Sequence, residues 1–427
     1  MAVLPADQFL SDPDTMTTPD SDIESHYAWL RLATSCTLIT IGGAGMYVVI
    51  VAMPVIETEF GATRAQASVP YAAVMLGWAI GTIGMGRLFD RLGIQIPIVI
   101  GAVGLGAGFA LAGHASSLLL FAAAHGLLIG LIGTASLFAP LLADVSHWFD
   151  RRRGIAIALV ATGQYVAGAI WPPVVQHFIA TVGWRDTYIG IGVFCVLTMV
   201  PLSFIMRRQL NAEAGGGAAA SDGARAPHHL GIGANGLQVL LCIAGLACCI
   251  AMAMPQVHLV SMCAGLGFGP ARGAEMLALM LACGIVSRLS FGVIMDRIGG
   301  LRTLLLASSL QCIALFFFLP VRGLVSLYVV SALFGLFQGG LVPCYALIVR
   351  EYFKPSEAGA RIGLLIMASL VGMALGGWLS GAIYDWTRSY TAAFVNGIAW
   401  NFVNIAIVVF LLWRRDIVTN LHRVAAG

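Results

Sequence analysis

RGAEMLALMLACGIVSRLSFGVIMDRIGGLR, residues 272–302, decides how the rest of the chain is read. Its apolar run is long enough for one membrane-spanning helix. Between Met276 and Met295 its only charged side chain is Arg288. A permanent cation at the centre of such a helix costs about 2.5–3.5 kcal/mol on insertion scales, so it is expected to face a bundle interior or a wet cavity. Gly284, Arg288 and Gly292 recur every fourth residue and share one helix face. The two glycines leave room beside the guanidinium for another helix or a solute. Arg288 therefore reads as a hook for an anion. The competing reading is a structural arginine paired to backbone carbonyls or to a neighbouring helix.

Composition extends this reading to the whole chain. Of 427 residues 59% are apolar and only 10% charged, against roughly 25% charged in a soluble domain. The net charge of +3 does not point to nucleic acid, because the basic residues mark membrane topology. The nine cysteines are scattered through apolar segments, with no CxxC pair and no Cys/His cluster of zinc-ligand spacing. They read as small packing residues, and no metal site is expected. The spans hold no nucleophile–base arrangement and no P-loop, so neither an enzyme nor a bound cofactor is expected.

Twelve apolar segments of near-spanning length can be counted. They divide the chain into a tail (1–28), a six-span bundle (29–206), a linker (207–235), a second six-span bundle (236–413) and a second tail (414–427). The linker carries Gly215-Gly216-Gly217 and His228-His229 and lacks an apolar period. The first tail is acidic and lacks the basic start of a signal peptide, which places it in the cytoplasm. With that orientation 17 of the 23 Lys and Arg residues, Arg31 and Arg151 to Arg153 among them, lie on the cytoplasmic side. Five, including Arg64 and Arg185, lie outside, and Arg288 lies between. This asymmetry follows the positive-inside rule. The expectation is a multi-pass protein of the plasma (inner) membrane with both termini cytoplasmic, working as a monomer.

The two bundles repeat one another. Gly86-Arg87-Leu88-Phe89-Asp90-Arg91-Leu92-Gly93 after the second span and Gly292-Val293-Ile294-Met295-Asp296-Arg297-Ile298-Gly299 after the eighth are both G-x-x-x-D-R-x-G, 206 residues apart. This loop resembles the signature of the major facilitator superfamily. Three further features narrow the resemblance: Trp148-Phe149 with Arg151 to Arg153 before the fifth span, Gly183-Trp184-Arg185 before the sixth, and His258-Leu259-Val260 with Gly267 leading to Ser287-Arg288. Together they are similar to the monocarboxylate transporter and oxalate/formate antiporter group, in its bacterial branch, over residues 29–413. The resemblance implies an all-α membrane protein of twelve transmembrane helices in two pseudo-symmetric six-helix bundles, with the solute site near the midplane between them. It also implies that Gly86, Asp90, Arg91, Asp296 and Arg297, with Arg152, gate the carrier by holding the halves in one facing state; the competing reading is simple topological anchoring.

Departures from the family pattern shape the expected substrate. Animal monocarboxylate transporters place an acidic residue one turn before the eighth-span arginine, where this chain has Gly284. Their first-span lysine and the eleventh-span lysine of the oxalate antiporter are also missing. A dianion would want two cations, so a monoanion is expected. Polar groups in apolar spans bond across helices or line the cavity. Tyr47, Gln164, Gln338 and Tyr345 are accordingly the candidate substrate contacts beside Arg288, with Tyr165 as a further polar group of the fifth span. His125 and His258 are candidates for proton coupling, or neutral core histidines. The functional expectation is secondary active transport of a small organic anion, a monocarboxylate first, by proton symport. Organic-anion exchange and a non-transporting carboxylate sensor of the same fold are the alternatives.

Overall fold

The structure, a computed structural model, describes residues 23–208 and 230–426 and all of their side chains except those of 355 and 419–426. Much of the expected first tail and linker, including Gly215 to Gly217 and His228-His229, lies outside these residues. Among the described residues twelve helices are long and apolar enough to cross a membrane. In chain order they are α1 (His26–Phe60), α2 (Arg64–Leu92), α3 (Gln95–Gly113), α4 (Leu118–Trp148), α5 (Arg153–Val182), α6 (Trp184–Ile205), α7 (Ala234–Gly265), α8 (Pro270–Ile298), α9 (Gly300–Phe318), α10 (Leu324–Tyr352), α11 (Ser356–Thr387) and α12 (Tyr390–Val418). Several outrun the apolar windows because their polar ends are capped. Ser25 Oγ accepts from Ala28 N to start α1, and Thr63 and Gln66 form a reciprocal capping box at α2.

Three helices break where the apolar pattern gives no warning. α1 is interrupted at Gly43. α4 widens to π geometry over Ala124–Gly133 and tightens to 3-10 over Thr134–Ser136. α10 is interrupted at Gly339-Gly340. This last break has a packing cause. A Cβ on Gly339 would fall 2.6 Å from Gly284 O and 2.8 Å from Arg288 N, and one on Gly340 would fall 2.3 Å from Phe291 Cγ. Glycine thus lets α10 press its backbone onto α8 beside the arginine, where Gly339 N donates to Ser287 Oγ at 3.0 Å.

The halves α1–α6 and α7–α12 meet along α2 against α11 and α5 against α8. With an even number of spans, the starts of α1 and α7 share a membrane face, here called the tail side; the opposite face is the far side. The contact is uneven. Towards the far side a Cβ on Gly168 would lie 2.2 Å from Leu281 Cδ1, and one on Gly381 2.8 Å from Arg64 O. Towards the tail side, Gly84 and Gly86 of α2, Gly154 of α5, Gly292 of α8 and Gly359 and Gly363 of α11 have room for a Cβ with nothing within 4 Å. The main apolar core runs across both halves, while a second core, including Leu241, Leu304, Tyr345 and Leu411, is confined to the C-terminal half. The two halves are closed together at the far side and splayed at the tail side.

Arg31, counted above as a topological marker, is instead 1% exposed. Its guanidinium forms a bidentate pair with Asp144 of α4, Nε to Oδ2 and Nη2 to Oδ1 both at 2.7 Å. Nη1 donates to the carbonyls of Met206 and Arg208, and Cζ lies 4.7 Å from the centroid of a Trp148 ring. One arginine thus ties α1 and α4 to the chain leaving α6. Removing one partner of a buried pair strands the other. Asp144→Ala is expected to cost about 3–5 kcal/mol, read as a lower thermal unfolding midpoint in detergent, and replacing both partners by apolar residues should recover much of it. An unchanged midpoint for the single variant would show that the pair does not hold the bundle.

Candidate functional site

Arg288 lies on α8 at the seam between the halves. Among the described residues it forms no ion pair. Its partner across the seam is aromatic: Cζ sits 5.4 Å from the ring centroid of Tyr165 on α5. The Tyr165 ring occupies the place that Gly284 leaves open, since a Cβ there would fall 2.5 Å from Tyr165 Cε1. The expected room beside the guanidinium is therefore filled by a ring at Gly284, while Gly292 stays open.

The remaining candidates separate into two groups. Tyr47 lies against α5: its hydroxyl donates to Gln164 O at 3.3 Å, and a Cβ on Gly168 would fall 2.7 Å from its Cζ. The Gln164 side chain turns to α1, with Nε2 3.4 Å from Met46 Sδ. Gln338 neighbours the α10 break; its Oε1 accepts from Gln256 Nε2 at 2.9 Å, and its Nε2 is buried without a partner. Tyr345 is committed elsewhere. Its hydroxyl donates to Asn404 Oδ1 at 2.9 Å, and Asn404 Nδ2 donates to Ser308 Oγ at 2.8 Å, a network within the C-terminal half. Tyr71, passed over in the sequence, is fully buried at the seam with an unpartnered hydroxyl; Tyr47 and Cys249 are within electrostatic reach of it, and its ring packs on Gly377 of α11. Its signal was a lone hydroxyl in an apolar span, the same signal that marked Tyr47.

The two histidines differ in placement. His125 is enclosed by its own half, with Nδ1 2.7 Å from Phe121 O, Nε2 3.5 Å from Tyr188 Oη, and both rings packed against it. His258 stands at the seam, Nε2 2.7 Å from Gly377 O and its ring 5.8 Å from that of Tyr390, while Nδ1 is buried without a partner.

A latch closes the far side. Asp385 at the end of α11 accepts from Arg64 N at 3.0 Å and Ala65 N at 2.8 Å, so a carboxylate of one half caps the first turn of α2 in the other. The Arg64 side chain answers in the opposite direction. Nη1 donates to Tyr390 Oη at 2.7 Å, and Cζ lies 4.8 Å from the Tyr384 ring centroid. Nε also lies 2.9 Å from Glu57 Oε1, as an ion pair rather than an aligned hydrogen bond. At the tail side, Asp90, Arg91, Asp296 and Arg297 form no ion pair among the described residues. Gly86 is open, and Arg152 meets its own half, its backbone N donating to Glu24 and its guanidinium 6.0 Å from the Trp29 ring.

Two six-helix halves meeting at a seam and splayed at one membrane face define the architecture of an alternating-access carrier. The sequence profile of the Major Facilitator Superfamily matches residues 35–329 and 239–423, and the chain belongs to that family. It is a multi-pass membrane transporter. Monocarboxylate transporter 13 of Rattus norvegicus is 28% identical over 341 residues, 77% of this chain and 75% of that protein. The uncharacterized MFS-type transporter YcxA of Bacillus subtilis is 23% identical over 350 residues, 78% and 82% of the two chains. A solved bacterial homologue of the human lysosomal transporter Spinster, inward-facing and unoccupied, superposes with a TM-score of 0.63 at 15% identity, covering 92% of this chain and 96% of that one, a likeness of fold alone.

The latch can be tested without knowing the cargo. Leu281, 1% exposed where α8 meets Gly168, should react slowly as Leu281→Cys with a membrane-impermeant maleimide added at the far side, in a chain cleared of other reactive thiols. Asp385→Ala is expected to speed that reaction several-fold. Equal rates would mean that the Asp385 cap does not hold the far side shut.

Proposed function

We propose that the chain carries small monocarboxylates by alternating access, with Arg288 as the counter-charge of the cargo. One observation carries this reading: a guanidinium at the seam between the halves, with no carboxylate paired to it among the described residues. Arg288 is half-buried, and a partly desolvated cation gains most from an anion that can use its forked donors, as a carboxylate does. The single cation favours a monoanion. Tyr47 and Gln338 stand close to the same seam, Tyr345 and Gln164 are held in bonds within their own halves, and the relatives named as monocarboxylate transporters agree with the cargo class.

The arginine distribution and acidic first tail support a plasma-membrane carrier with cytoplasmic termini, in which the splayed tail side is the inward-facing state. The Asp90–Arg91 and Asp296–Arg297 loops, with Gly86 and Arg152, then close the tail side when the far-side latch opens. Proton symport is the proposed coupling. Its support is His258, a titratable ring at the moving seam that faces Tyr390, with Arg64 and Asp385 in electrostatic reach. A second reading, obligatory anion exchange, is favoured by the isolation of Arg288. With no acidic neighbour among the described residues, the empty carrier must reorient with a bare charge that the cargo would otherwise cancel.

Flux into proteoliposomes separates transport from sensing. Arg288→Lys keeps the charge and loses the fork, and carboxylate uptake should fall about tenfold or more; full activity in a correctly inserted Arg288→Ala would remove the residue from the mechanism. Acidifying the outside should drive net uptake, and His258→Gln should abolish that acceleration while leaving counterflow. Counterflow that ignores the pH gradient in the parent chain would favour exchange.

A further inference from the structure

Resting on the anion-site reading of Arg288, we propose that Tyr165 is its positioning residue: a plate from the opposite half that holds the guanidinium by its ring and hydroxyl and leaves the remaining in-plane donors to the cargo. Arginine stacks on aromatic faces and hydrogen-bonds through its edge, so the two contacts do not compete. The Tyr165 ring lies 5.4 Å from Arg288 Cζ. No carboxylate among the described residues pairs with the guanidinium to fix it in another way.

The plate is itself braced. On the α8 side the ring rests where Gly284 lacks a side chain, and an added Cβ would collide with Cε1 at 2.5 Å and Cδ1 at 2.6 Å. On the α1 side Tyr47 bonds the carbonyl of the preceding residue, Gln164, and fills the space over Gly168 one turn on. Tyr47, α5, Tyr165 and Arg288 thus form one stack from α1 to α8. Gly284 belongs to the device, because any larger residue there must displace the ring. This assigns Tyr47 a bracing part, and Tyr165, absent from the residues first singled out for the cargo, the placing of the charge.

Saturable uptake by proteoliposomes of formate, lactate, pyruvate and benzoate tests this, with KM and Vmax measured separately. Tyr165→Phe retains the plate and loses only the hydroxyl's contact with the guanidinium, so KM should rise less than in Tyr165→Leu. Tyr165→Leu removes it and should raise KM about five- to twentyfold with Vmax little changed, the range expected for a partly desolvated cation–π contact. Gly284→Ala should reproduce the rise, and Gly284→Ala combined with Tyr165→Leu should be no worse than either alone, because both remove the same contact. If Tyr165→Leu does not insert, the contrast between Gly284→Ala and Tyr165→Phe decides. Unchanged KM in the Leu and Ala variants, or a loss confined to Vmax, overturns the positioning role. If Arg288→Lys raises KM in the same assay while these variants do not, the anion site stands and only the plate fails. If Arg288→Lys also leaves KM unchanged, or the parent chain takes up none of the four acids, both readings fall together.

Discussion

A cation with no counter-ion among the described residues is the constraint on which the rest of the structure turns. Burying a guanidinium is costly, and proteins ordinarily repay it with a carboxylate held in good geometry. The N-terminal half does this at Arg31, which is matched atom for atom by Asp144 and finished by two carbonyls. Arg288 has no such match among the described residues; it has the face of Tyr165. On the proposed reading, the contrast between two arginines in one chain separates a structural charge from a working one. The first is fully satisfied within its half, and the second sits between halves with its donors unclaimed by acid.

Around that charge, close packing and polar contacts determine where the carrier is shut. Glycines let helices approach closely at the level of Arg288 and towards the far side, and Asp385 reaches across to cap α2. Because the cap uses backbone N–H groups at a helix start, it draws on orphan donors that every helix offers, reinforced by the helix dipole. Tyr390 links this latch to His258, and His258 bonds Gly377, on which Tyr71 rests. A continuous line of side chains therefore runs from the far-side closure towards the seam where Tyr71, Tyr47 and Tyr165 gather. In the proposed carrier, a two-state closure of this kind would let an anion bound at one level bias the position of helix ends at another.

Much of the fold was legible because membrane insertion leaves a coarse signature. Twelve apolar windows, the doubled G-x-x-x-D-R-x-G and one arginine in an oily run are local facts, readable without knowing what touches what. The harder parts depend on partners far apart in sequence. Arg64 and Asp385 are 321 residues apart, and each taken alone resembles an ordinary helix-end charge. Arg31 passed for a topological marker because its partner lies 113 residues on. The breaks in α4 and α10 left no trace in hydropathy, since a wound or unwound turn of Gly, Leu and Ile has the same composition. Tyr345 looked as eligible as Tyr47 until its bond to Asn404 committed it to its own half. Tyr165 was visible as a polar group, but only the structure shows its ring seated where Gly284 lacks a side chain.

Whether Arg288 provides an uncancelled positive charge for a carboxylate can be read from equilibrium binding to purified protein. Small carboxylic acids and their matched amides, such as benzoate with benzamide and lactate with lactamide, would be titrated against the parent chain and Arg288→Ala. Saturable binding of at least one acid is expected, with none of its amide and loss of the acid's binding in Arg288→Ala. An amide that binds as tightly as its acid, or an alanine variant that binds the acid undiminished, would contradict it.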